Sequence, residues 1–219
     1  MSFVKEWIYR LRHNRGFGVQ SPAAFYLVTH VLREPRHSYY IYPKINSLSR
    51  IGGCSSRHCR RLFRLVNAIQ PSNIFILDAR CGAAACAVAA GSVNVPCEAA
   101  ANVPTDVVKR FMERYTGCRI LQDNSLQTMD KFLEQNEKIG LLYIGDIQHC
   151  DKAVEKAIAH ANRHTVIIVE GIRRNKEMKK WWKGIVASRS TVVTMDFYRW
   201  GALFFDTEYK KQHYTFWFE

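Results

Sequence analysis

The chain has 219 residues, 47% of them hydrophobic, and no uninterrupted apolar run of the roughly 18 residues that a membrane helix needs, which excludes a disordered chain and a helical membrane protein. Lys and Arg exceed Asp and Glu by 32 to 19, a formal charge of +13, so nucleic acid or another polyanion enters as a candidate partner. Seven cysteines, an odd set without a Cys-x-x-Cys pair, exclude a disulfide framework and a zinc site and point to a reducing, cytoplasmic setting.

The first segment, MSFVKEWIYRLRHNR, carries charges through its apolar positions and predicts an amphipathic helix over residues 2–13, not a signal peptide. After a two-glycine loop, Ser21 and Pro22 predict a helix start, a hydroxyl N-cap ahead of a first-turn proline, running to about Arg33. Residues 37–46, HSYYIYPKIN, are aromatic and predict an irregular segment. Ser55 or Ser56 caps the next helix, which ends at Gln70 before Pro71. On it Arg57, Arg60, Arg61 and Arg64 share one face beside an apolar stripe of Leu62, Leu65, Val66 and Ile69. A solvated basic face is one reading of that stripe, and phosphate binding is the other.

From residue 71 the chain alternates. Strands over 73–78, 93–98, 118–122, 139–145 and 164–170 are separated by helices over 83–91, 104–115, 125–135 and 151–162, with a last helix over 175–186. Five short apolar strands in that rhythm predict an α/β fold, a parallel sheet covered on both faces. Arg173, Arg174, Lys176, Lys179, Lys180 and Lys183 make a second basic cluster, next to Trp181 and Trp182. TVVTMDFY, WGALFFD and HYTFWF then read as strands joined by short turns, an antiparallel extension of the sheet. The organisation expected is a helical region, 1–70, packed on an α/β domain, 71–219.

Within that domain, NIFILDARCGAAACAVAA (73–90) is a strand closing on Asp78, a small-residue turn and an Ala-rich helix. Glu98 follows 20 residues after Asp78, at the end of the next apolar run. This is the outline of a nucleotide-cofactor half-site.

Five β/α units closing on antiparallel strands resemble a class I S-adenosylmethionine-dependent methyltransferase with a Rossmann-like sheet. The loop Arg15-Gly16-Phe17-Gly18-Val19-Gln20-Ser21-Pro22, with DFYRWGALFF (196–205) and HYTFWF (213–218), is similar to a catechol-O-methyltransferase-like branch of small bacterial proteins. The resemblance implies S-adenosylmethionine as cofactor, a small-molecule acceptor and no membrane partner. It places the family's glycine loop on Asp78-Ala79-Arg80-Cys81-Gly82-Ala83-Ala84. Gly82 meets the need for close backbone approach, whereas Arg80 stands where a glycine is expected, making the motif a degenerate one. Arg80 is then expected to turn outward or to meet the cofactor's carboxylate. Glu98 would take the ribose hydroxyls and Asp123 would sit beside the adenine.

Asp146-Ile147-Gln148-His149 ends the fourth strand and resembles the family's Asp-Gly-Asn-His string, with Asp146 and His149 the candidate catalytic residues. In catechol-type relatives the matching aspartate helps hold magnesium with oxygen ligands from the next strand's end. That end is Glu170-Gly171 here: Glu170 keeps an oxygen ligand and the glycine supplies none, so two carboxylates could hold magnesium only weakly and no metal residues are assigned. Ile172-Arg173-Arg174 replaces what resembles an aromatic, titratable rim by positive charge, which fits either an anionic ligand or loss of the original substrate. The readings to be separated are a small-molecule methyltransferase, a non-catalytic binding protein on the same fold, and a basic nucleic-acid-binding protein or RNA methyltransferase.

Overall fold

Apolar runs too short for helices become strands, and the longer amphipathic segments between them become the helices that cover those strands. The computed structural model describes residues 21–33, 38–51, 54–77, 82–100, 106–121, 125–145 and 150–217. The helix expected over 2–13 and the candidate residues Asp78, Arg80, Asp123, Asp146 and His149 lie outside them. The described strands are β1 (Ile74–Leu77), β2 (Cys97–Ala100), β3 (Arg119–Leu121), β4 (Leu141–Ile144), β5 (Val166–Glu170), β6 (Val193–Asp196), β7 (Trp200–Phe204) and β8 (Gln212–Thr215). The helices are α1 (Pro22–Tyr26, continued by a π-helical segment, Leu27–Leu32), α2 (Tyr42–Ile51), α3 (Ser56–Ile69) and α4 (Gly82–Ala90). They continue as α5 (Asp106–Thr116), α6 (Ser125–Gln135), α7 (Cys150–Ala159) and α8 (Lys176–Ala187).

The strands form one sheet in the order β3-β2-β1-β4-β5-β7-β6-β8. Strand order reverses between β1 and β4, the kind of switch point at whose carboxyl ends such sheets bind ligands. The expected antiparallel extension is present and is carried by β7. Only β7 runs against its neighbours, because the β6–β7 hairpin folds back between β5 and β6, and β8 then joins β6 in parallel.

Alternation along each strand splits the core in two. Ile74, Ile76, Tyr143 and Ile168 meet the first five helices through Val28, Ile45, Leu62, Val66 and Val108. Phe75, Leu77, Leu142 and Ile167 meet the other three through Phe132, Val154 and Trp182. The N-terminal helices therefore share one apolar cluster with the sheet. Every residue of α4 is buried, which explains its composition: a helix enclosed all round has no polar face, and small side chains let its neighbours close in. No helix among the described residues is long and apolar enough to cross a membrane.

Three local expectations resolve differently or more finely. Ser21 caps α1 through its Oγ, which accepts from the Ala24 amide at 3.3 Å, but the helix widens into a π-helix before Arg33. The segment expected to be irregular contains α2: Tyr42, Ile45, Leu48 and Ser49 are buried on one side, and Pro43 falls in the first turn, where a missing N–H costs nothing. Tyr39 and Tyr42 pack edge-on against Phe63 of α3, with ring centroids 5.0 and 5.9 Å apart, so the aromatics serve the core. The second strand does not span 93–98 but starts at Cys97, after a turn that leaves Val93 46% exposed. Pro96 cannot donate to a ladder and instead accepts from the Ile74 amide at 2.8 Å, immediately before the strand.

Candidate active site

Gly82 is buried and begins α4, the helix that follows β1 in the chain, and as a glycine it brings no side chain to that position. The later start of β2 changes the position of Glu98. It pairs in register with Phe75 and is the second of four residues, not the last. At roughly 3.3 Å per residue it stands about 7 Å back from the strand's carboxyl end. Its carboxylate faces Arg119 directly across the β2–β3 ladder, with Oε1 3.5 Å from Nη1. The expectation that Glu98 ends its strand is thus corrected, and the ion pair with Arg119 gives that acid a local use.

The carboxyl end of β5 holds a cluster that sequence reasoning did not find. Glu170 Oε1 accepts from His58 Nε2 at 2.6 Å and from the Tyr143 hydroxyl at 3.4 Å. His58 lies in the first turn of α3, Tyr143 on β4, and the ring of Trp200 on β7 stands edge-on to the imidazole with centroids 5.8 Å apart. The His58 and Glu170 side chains are 18% and 19% exposed, open enough to be reached and dry enough for the contact to matter. A residue 112 positions away in sequence leaves no local trace of such a contact.

The next residue, Gly171, has φ +67°. Its amide donates to the Arg199 carbonyl and its own carbonyl accepts from the Arg174 amide, both at 2.8 Å. The glycine is demanded by this left-handed turn. Glu170 accepts from His58, Gly171 brings no oxygen side chain, and the described residues, which do not include Asp146, contain no group of three or more His, Cys, Asp or Glu placed for a metal.

Arg173 also departs from expectation. Its guanidinium pairs with Asp196 and donates to the Tyr198 carbonyl at 3.1 Å, lying 5.2 Å from the Tyr198 ring centre. Asp196 is 3% exposed and accepts from Trp182 Nε1 at 3.2 Å and from the Tyr198 amide at 2.8 Å. The Arg173 part of that positive rim is therefore neutralised by a buried carboxylate, while Arg174 is exposed.

Part of the arginine stripe of α3 is likewise turned into the protein, while Arg57 stays exposed. Arg64 is buried and donates to the Val31 and Leu32 carbonyls at 2.6 Å each and to the Tyr42 hydroxyl at 3.1 Å. Arg60 grips Asn46 Oδ1 through Nε and Nη2 at 3.0 and 2.8 Å. Burial, then the like charges of Arg64, Arg57 and Arg33, pull the Arg61 pKa down to about 10. The described cysteines are free thiols, and two of the buried ones are poor nucleophiles. A hydrogen bond with Cys118, reinforced by burial, raises Cys97, and burial with the Asp151 charge pushes Cys150 up to about 12.

No family model and no curated protein matches the sequence. Solved structures do match. The O-methyltransferase TomG from Streptomyces achromogenes, in complex with S-adenosylmethionine, superimposes with a TM-score of 0.59 at 11% identity, covering 90% of this chain and 98% of its own. An O-methyltransferase from Bacillus cereus in complex with S-adenosylhomocysteine gives 0.57 at 13% identity, covering 80% and 96%. The S-adenosylhomocysteine-bound methyltransferase PaMTH1 from Podospora anserina gives 0.58 at 8%, covering 85% and 96%. What a match at such identity establishes is architecture: this chain has the Rossmann-like fold of the class I S-adenosylmethionine-dependent methyltransferases.

Proposed function

We propose that the protein is an S-adenosylmethionine-dependent methyltransferase acting on a small-molecule acceptor in the cytoplasm. The observation that carries this reading is the near-complete cover of structures solved with that cofactor or its product, combined with a glycine-started, fully buried α4 behind the β1 turn. In this reading the turn from Asp78 to Gly82 receives the cofactor's amino-acid end, with Arg80 meeting its carboxylate and Asp123 beside the adenine. Asp146 and His149, which follow β4 in the chain, are the candidate catalytic residues. Methyl transfer from a sulfonium is an in-line displacement that needs alignment more than many catalytic groups, so a degenerate glycine motif is compatible with turnover. Of the basic residues behind the nucleic-acid reading, Arg60 and Arg64 are committed to internal contacts, whereas Arg57, Arg174, Lys176, Lys179, Lys180 and Lys183 are exposed.

Isothermal titration with S-adenosylhomocysteine tests the proposal. Micromolar binding is expected, and the absence of heat up to millimolar ligand would overturn it in favour of a non-catalytic binding protein. Glu98→Gln supplies a second result. A carboxylate set back from the edge and paired with Arg119 predicts an affinity within about threefold of wild type, near 0.6 kcal/mol, whereas a carboxylate holding the ribose predicts a loss of tenfold or more.

A further inference from the structure

Resting on the methyltransferase reading, we propose that the acceptor of this protein is a hydroxyl compound whose proton is taken by His58, held in place by Glu170, where catechol-type relatives would use a divalent cation. Three observations support the assignment. The pair sits at the carboxyl edge of the sheet, because Glu170 ends β5 and α3 begins at the edge where β5 finishes. β5 lies two strand spacings, about 10 Å, from β1, so an acceptor over β4 and β5 lies beside a cofactor held at the end of β1. Glu170 and His58 form a carboxylate–imidazole pair, in which the carboxylate takes the Nε2 hydrogen and leaves Nδ1 with a free lone pair.

His58 Nδ1 has no hydrogen-bond partner among the described residues, and the edge of Trp200 fixes the ring plane. Tyr143 reinforces the same Glu170 oxygen from below, while Arg57 and Arg61 are the charged residues that flank His58 along α3. The step balances without an ion. The acceptor oxygen forms a bond to the methyl carbon while the sulfur–methyl bond breaks and leaves its pair on sulfur. The hydroxyl proton moves to Nδ1, and the positive charge of the sulfonium reappears as imidazolium beside the Glu170 carboxylate. His58 is then a catalytic residue and Glu170 a positioning residue.

Two measurements on the full chain test this. In long-range ¹⁵N spectra, with His58 assigned by loss of its signals in His58→Gln, the neutral imidazole is expected as the Nε2–H tautomer and unmoved by millimolar magnesium chloride. An Nδ1–H tautomer, or displacement of the His58 signals by magnesium, would overturn the proposal. Glu170→Gln should mix the tautomers while leaving the fold intact. With S-adenosylmethionine and catechol as probe acceptor, His58→Gln should lower kcat about 10²- to 10⁴-fold with KM nearly unchanged, and Glu170→Gln about 10- to 100-fold. Excess EDTA should leave the wild-type rate unaltered. A wild-type protein that binds S-adenosylhomocysteine but does not turn over catechol, loses its rate in EDTA, or depends on His149 and not His58, refutes this assignment. Failure to bind S-adenosylhomocysteine instead refutes the reading on which it rests.

Discussion

Asp196→Ala is expected to lower the stability of the protein by about 3 kcal/mol, the lower end of what removing one partner of a buried ion pair costs. The lower end applies because Arg173, at 21% exposure, can turn toward water once its partner is gone, whereas the Trp182 indole cannot. Trp182 is 3% exposed and its Nε1 would be left unpaired beside the alanine, a cost of about 1–3 kcal/mol by itself. The Tyr198 amide loses its acceptor too, in a turn whose residue already holds φ +70°. For a chain of this size each kcal/mol moves the midpoint by about 2–4 °C, so a fall of about 6–12 °C in thermal unfolding is the result to look for. Asp196→Asn keeps acceptor geometry for Tyr198 or Trp182 and should cost less. A loss below about 1 kcal/mol for the alanine variant would mean that the three donors find other partners and that Asp196 does not hold this corner of the sheet together.

Arg64→Ala is expected to cost about 3 kcal/mol, and the loss should concentrate in residues 21–33 and 42–51. The last carbonyls of a helix have no intrahelical donors, and here those of Val31 and Leu32 are met by a guanidinium arriving from α3. Its positive charge also suits a helix C-terminus. Removing it strands two carbonyls, each worth about 1–3 kcal/mol when buried, along with the Tyr42 hydroxyl. Hydrogen exchange should show faster amides in α1 and α2 with little change in the sheet. Arg64→Lys should recover only part of the loss, since one ammonium cannot span three acceptors in a planar fork. Unchanged protection of α1 and α2 in the alanine variant would contradict this role for the guanidinium.

The parts of the fold set by local pattern were legible from the residues alone. Alternating apolar runs at Ile74, Leu141 and Val166, each followed by a helical segment, define the parallel half of the sheet without any partner being known. Where local pattern was ambiguous, tertiary contact decided. HSYYIYPKIN has the apolar spacing of a helix at Tyr42, Ile45 and Leu48, but only packing on Phe63 makes that spacing meaningful. Val93 and Val95 looked like strand, yet a proline at 96 delays the ladder to Cys97 and carries Glu98 away from the edge. The arginines of α3 were visible as a face, but no periodicity says whether a polar face meets water or the carbonyls of another helix. His58, Glu170 and Tyr143 come from three elements, and Arg173 and Asp196 are 23 residues apart, so neither cluster has a signature within a sequence window.

The placement of β7 has a consequence for synthesis. β5 is complete at Glu170, but the strand that covers its outer edge is Trp200–Phe204, and the antiparallel partner pairs every residue from Val166 to Glu170. A nascent chain therefore emerges with a hydrophobic, hydrogen-bond-ready edge that stays open until about 30 further residues have followed, counting from 170 to 200. During that interval any other extended segment can dock there. Ribosome stalling or truncation between α8 and β7 would leave an aggregation-prone intermediate, and the lysines and arginines crowded into 173–183 are well placed to keep such chains apart by mutual repulsion while the edge waits for its own strand.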